Sequence, residues 1–119
     1  MAESILLNKA EDFGVEIIIL QRKLVREFKE YEVSNQVKRS GTAIGALVCE
    51  ATYAESSADF VHKLKIALKE SHETEYWLRL LFRSAYIQEE EYHHLSDQNV
   101  ELKRMLIASI NTKLANTEP

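Results

Sequence analysis

The chain has 119 residues, 45% hydrophobic and 29% charged, with a formal net charge of -4. That is room for one domain and one core, too apolar for a disordered chain, and without the basic excess by which a free nucleic-acid binder displaces counterions from phosphates. Its single cysteine, Cys49, excludes an internal disulfide and a cysteine-rich zinc site, and with three glycines and a lone proline at the last position nothing internal breaks a helix by the proline mechanism.

The N-terminal stretch MAESILLNKAEDFG has no basic segment followed by a long apolar core, so no secretory signal is expected and the expected location is the cytoplasm. The longest apolar run, Ile17 to Leu20, is far too short to span a bilayer. Phe13, Ile17, Leu20, Leu24 and Phe28 recur in steps of four and three, which predicts a first helix near residues 9–29. Val37, Ser40, Gly41, Ile44, Leu47, Val48 and Ala51 predict a second near 35–54, with Ser34 as its N-cap. Phe60, Leu64, Ala67, Leu68, Ser71, Leu78, Phe82 and Ala85 predict a third near 57–86, capped by Ser56 or Ser57 and favoured at its positive end by Asp59. Tyr92, Leu95, Leu102, Leu106 and Ile110 predict a fourth near 89–115, opened by Glu89, Glu90 and Glu91. Connections this short make sequential helices antiparallel neighbours. The expected fold is all-α, an up-down-up-down four-helix bundle in which residues 1–119 form one domain.

Some apolar residues fall off these stripes. Ile66, Trp77 and Leu80 lie roughly 120° or more from the centre of the third helix's stripe, and Val15 and Ile19 lie off that of the first. Scattered surface apolar residues are ordinary, but a tryptophan is costly to leave in water. The alternative is a subunit interface with Trp77 as its anchor. On the second helix Arg39, Ala43, Ala46 and Glu50 form a line of small residues between opposite charges, either a solvated face or a close helix approach. In a hairpin turning near residue 55, Arg39 comes level with Ser71 to Glu73, so Arg39 is expected to pair with Glu73, within a subunit or between two. Val15, Ile19, Arg39, Ala43, Ala46, Glu50, Ile66, Glu73, Trp77 and Leu80 are the candidate oligomer interface.

Basic residues cluster in two places. Lys65, Lys69, Arg79 and Arg83, with His72, follow the expected solvent side of the third helix. Arg22, Lys23, Arg26 and Lys29 crowd the end of the first, where cations suit the negative dipole end. A mixed solvated surface explains both; the alternative is a nucleic-acid patch made useful by repetition in an oligomer. Glu90-x-x-His93 and Glu91-x-x-His94 have the spacing of a carboxylate-bundle ligand pair, but the matching motif on a second helix is missing, since His72 and Glu75 occur in reversed order. No metal or cofactor is expected. Cys49, beside core residue Val48, is expected to be an inert buried thiol. Ser71 is expected to bond back to its own helix. Glu75, at the edge of the stripe, is expected to sit in a structural ion pair. No nucleophile has a base at hand, and catalysis is not expected.

From Gln36 to Leu81 the chain reads QVKRSGTAIGALVCEATYAESSADFVHKLKIALKESHETEYWLRLL, and the fourth helix ends LKRMLIASINTKL. Arg39, Ile44 and Glu50, then Ser56, Ser57, Asp59 and Phe60, then Ile66, Ala67, Ser71, Glu73 and Glu75 resemble, in order, the signature of the 23S rRNA intervening-sequence proteins. The resemblance implies an up-down-up-down bundle that assembles into a ring-like homopentamer. A related branch, the accessory variability determinants of diversity-generating retroelements, binds a reverse transcriptase and nucleic acid and is strongly basic, whereas this chain is acidic. The expected function is therefore an oligomeric interaction or scaffold protein with a protein partner; the alternative is a nucleic-acid-associated accessory factor.

Overall fold

The computed structural model describes residues 2–117, with side chains over residues 4–116. Four helices account for nearly all of them: α1 (Ala2–Phe28), α2 (Glu32–Thr52), α3 (Ser57–Arg83) and α4 (Glu89–Thr117). Each helix packs on the next and α4 closes on α1, while among the described residues the backbones of α1 and α3, and of α2 and α4, stand further apart, on the diagonals of the bundle. This is the expected four-helix bundle.

The helix bounds differ from the periodicity's reading, for local reasons. α1 begins at Ala2 and not near residue 9, because the three-and-four rhythm runs back through Leu6 and Ala10, both in the core, while Asn8 and Lys9 face solvent. α1 ends at Phe28, with Lys29 left-handed at φ 53°. α3 ends at Arg83, three residues short of the reading, because Ala85 turns left-handed at φ 68°. α2 begins at Glu32 and ends at Thr52, and α4 runs two residues further than read.

Ser34 is not the N-cap of α2. It lies inside the helix, fully buried, and the capping acceptor is the Glu30 carboxylate, which takes the amide protons of Val33 (3.2 Å) and Ser34 (2.7 Å). Ser56 caps α3 as expected, its hydroxyl accepting the Asp59 amide at 3.0 Å.

The core is one cluster drawn from all four helices, with Phe13, Ile17, Leu24, Ile44, Leu64, Leu78 and Leu106 near its centre. α1 and α2 approach closely at Gly41: a Cβ built there would stand 2.9 Å from both Cγ1 and Cγ2 of Ile17. Polar groups also enter the core. Thr74 Oγ1 lies 2.9 Å from Ser40 Oγ and 2.8 Å from the Glu70 carbonyl. Asn99 is fully buried between Leu95 and Leu102, a core position of α4.

Candidate functional site

Outward of this core the helices carry distinct faces. Ile17 is fully buried, and at 100° per residue Val15 and Ile19 point almost directly away from it. They are 52% and 57% exposed, so the first helix does carry the off-core apolar pair read from the sequence. Beside them runs a shallow groove of about 350 Å³ between α1 and α2, lined chiefly by Leu7, Val15, Ile18, Gly45, Ala46 and Cys49. Cys49 is exposed here, and the expectation of a buried thiol is corrected: residue 48 faces the core, and one step along the helix turns residue 49 out toward α1.

α3 does not repeat that pattern. Ile66, Glu73, Trp77 and Leu80 share its flank toward α2 and all are half-buried. Trp77 packs against the core cluster, contrary to the expectation that its angle removes it from the core; the neighbouring helix reaches round to cover that flank. Its indole Nε1 donates to Glu73 Oε2 at 3.0 Å. Arg39 on α2 donates through Nη2 to the same carboxylate and lies 3.3 Å from Glu70 Oε1 through Nη1. The Arg39–Glu73 pair forms as expected, and within one chain. The indole hydrogen bond, ahead of the Arg39 contact and against burial, holds Glu73 below the usual carboxylate range; hydrogen bonding to Glu73 raises Arg39 in turn. Glu50 is held within the chain by Lys63 at 3.1 Å. Ala43 is half-buried, and Ala46 lines the α1–α2 groove. The candidate interface residues thus divide: Val15 and Ala46 line the groove and Ile19 stands exposed on the outer face of α1, while Arg39, Glu50 and Glu73 already have partners across the α2–α3 seam.

The basic residues divide too. Lys65, Lys69, Arg79 and Arg83 stand exposed on one outward line of α3 with His62, His72 and Tyr76, in steps of three and four. The Arg79 guanidinium lies 6.0 Å from the Tyr76 ring centre, and none of these four cations has an ion pair among the described residues. On α1, Arg22 and Arg26 are exposed, as is Lys29 just past its end, but Lys23 leaves the cluster, its Nζ 2.8 Å from Glu91 Oε1 on α4.

Between α3 and α4 lies a polar seam the sequence only hinted at. Glu75 accepts from Tyr92 Oη (3.0 Å), Ser96 Oγ (3.0 Å) and Asn99 Nδ2 (3.5 Å), so neutral donors occupy the place of the expected ion pair. Burial, then hydrogen bonding to Glu75, pushes the Tyr92 phenol up. Ser71 Oγ donates to Asn99 Oδ1 at 2.7 Å and not back to its own helix, because Asn99 is buried opposite it and needs a donor. The histidines with carboxylate-bundle spacing are engaged elsewhere: His94 Nε2 lies 2.6 Å from Glu16 Oε1 on α1, and His93 Nε2 lies 3.6 Å from Glu89. Among the described residues no group of three or more His, Cys, Asp or Glu side chains could hold a metal ion, and no helix is long and apolar enough to cross a membrane.

Residues 2–108 match a family model described as 23S rRNA-intervening sequence protein. A crystal structure of a protein of unknown function from the S23 ribosomal protein family of Bacteroides thetaiotaomicron superimposes with a TM-score of 0.92 at 46% identity, covering 93% of this chain and 99% of that one. No curated protein matches the chain.

Proposed function

The chain belongs to the 23S rRNA-intervening sequence protein family, and from that premise we propose that it acts in the cytoplasm as a non-enzymatic homo-oligomeric scaffold that presents repeated surfaces to a protein partner. The observation that carries this reading is the pair Val15 and Ile19, more than half exposed at the middle of α1 beside an apolar groove. Covering such a patch with a second subunit removes apolar area from water at about 25 cal/mol per Å². A ring of five is the assembly implied by the sequence resemblance. Light scattering at micromolar concentration is expected to report a mass several times the 13.7 kDa of one chain; a monomer would overturn the reading.

A second reading, a nucleic-acid-associated accessory factor of the kind found with retroelement reverse transcriptases, is favoured by the outward line of α3. Its four cations, without an ion pair among the described residues, and Tyr76 offer phosphate contacts and a stacking surface. The net charge of -4 places it second. The protein alone is expected to show negligible affinity for a single-stranded oligonucleotide at about 200 mM salt, where phosphate contacts are strongly weakened; tight binding that persists there, and is lost in Lys69→Glu, would promote the second reading over the first.

A further inference from the structure

Between residues 62 and 83 every exposed side chain of α3 is Lys, Arg, His or Tyr. They fall in two columns with a seven-residue repeat: His62, Lys69, Tyr76 and Arg83, and beside them Lys65, His72 and Arg79. Together the columns span about 100° of the helix circumference and run for about 31 Å. The acids of the same stretch are kept out of them. Glu70 and Glu73 turn to Arg39 on α2, and Glu75 turns to Tyr92, Ser96 and Asn99 on α4. In a chain of net charge -4 this is a strip of one sign, and its four cations have no ion pair among the described residues.

We infer that the strip is where the protein partner of the proposed scaffold docks, and that the partner lays an acidic α-helix along it. The alternation of three and four residues is the spacing of a coiled-coil seam, and a second helix follows such a seam by a slight left-handed supercoil. Carboxylates at the partner's own seam positions meet Lys65 and Lys69 toward one end and Arg79 and Arg83 toward the other, about 21 Å apart. Tyr76, 46% exposed, offers an aromatic contact between them. The same spacing disfavours a polynucleotide. Its charge is uniform, about one per 3.4 Å along each strand of a duplex, so the phosphates over the roughly 15 Å from Lys69 to Arg79 face no cation. Single exposed ion pairs are weak, and repetition of the strip in an oligomer supplies the avidity. The inference rests on the scaffold reading and names the chemistry of its partner.

Fluorescence anisotropy tests it at about 100 mM salt, where exposed charges more than about 10 Å apart are largely screened. The probes are two labelled alanine-based peptides of one composition and about 21 residues, three heptads. One carries glutamate at every seam position, and the other has the same glutamates dealt evenly around the helix. The wild type is expected to bind the patterned peptide more tightly than the even one, by about fivefold or more. Lys65→Glu/Arg83→Glu is expected to weaken that binding by about tenfold or more. Each new carboxylate stands four residues from a remaining cation of the strip, so α3 keeps favourable neighbours, and circular dichroism checks the fold. Lys38→Glu/Arg104→Glu makes the same change in net charge at exposed positions of α2 and α4 and is expected to change the affinity by no more than about twofold. Equal affinity for the two peptides, or a strip reversal no worse than this control, overturns the acidic-helix docking. A single-stranded oligonucleotide of the same length bound more tightly than the patterned peptide also overturns it and gives the strip to nucleic acid. Light scattering on the same samples reads the scaffold separately: an oligomer that fails these tests keeps the scaffold and loses the acidic helix, whereas a monomer that discriminates the peptides keeps the acidic helix and loses the scaffold.

Discussion

Replacing Gly41 by leucine is expected to destabilise the bundle more than any other single glycine substitution, by about 3 kcal/mol in urea unfolding followed by circular dichroism. The reason is local. Gly41 is buried in α2, and even a single added carbon would lie 2.9 Å from both Cγ atoms of Ile17. Ile17 is branched at Cβ and fully buried, so it has few rotamers in a helix and no open space in which to adopt another. The helices must then separate, opening the α1–α2 seam. Gly41→Ala tests the same contact more gently: the clash is partly offset by about 1 kcal/mol of recovered helix propensity, so its net cost is smaller. Gly14 supplies the contrast, because a Cβ there meets nothing nearer than the Thr42 Cα at 4.0 Å. Gly14→Ala is expected to stabilise by about 0.5–1 kcal/mol. Equal effects at the two sites would refute the close-approach account.

Asn99→Asp is expected to cost about 3 kcal/mol or more at pH 7, and most of that loss is expected to disappear near pH 4. The wild-type amide is fully buried, donates to the Ser71 carbonyl at 2.9 Å and reaches Glu75 Oε1 at 3.5 Å. A carboxylate there has no proton to give either oxygen and sets a second negative charge beside Glu75. Burial and like charge both raise the folded-state pKa of an acid above its unfolded value. The penalty therefore grows as pH climbs from the unfolded pKa toward the folded one, and falls away below both. Asn99→Leu removes the amide without adding a charge and is expected to cost about 1–3 kcal/mol with no such pH dependence. Chemical unfolding at pH 7 and pH 4 measures both variants. An Asn99→Asp protein no less stable at pH 7 than at pH 4 would show that the seam does not hold Glu75 and residue 99 together.

The fold was legible because three-and-four spacing of large apolar residues is a strong signal, repeated four times in a chain with almost no helix breakers. Helix ends were less so. Lys29 and Ala85 close their helices in left-handed conformations that glycine usually supplies, and neither residue type advertises it. Ser34 looked like a cap by type, but the carboxylate of Glu30 does that work, and a glutamate four residues upstream is not a usual cap signal. The Arg39–Glu73 pair could be read from the level at which two antiparallel helices bring them together. Trp77 could not be placed by angle alone, because a helical wheel knows the direction of a side chain but not how far the neighbouring helix extends to cover it. Asn99 escaped notice for a related reason: Leu95 and Leu102 lie seven residues apart, and the position between them that completes the stripe carries an amide. Asking which residue fills each gap in a stripe would have found it, along with Ser71 facing it.

The claim on which the account depends is that α1 hides Val15 and Ile19 in an assembly. Sedimentation equilibrium over a dilution series, comparing the wild type with Val15→Asp/Ile19→Asp, tests it most directly. Both side chains are more than half exposed in the single chain, so the double variant should fold as a helical bundle. The account predicts a wild-type oligomer at micromolar concentration and a folded variant with fewer subunits over the same range. Equal masses for the two proteins, or a wild type of 13.7 kDa at every dilution, would contradict it.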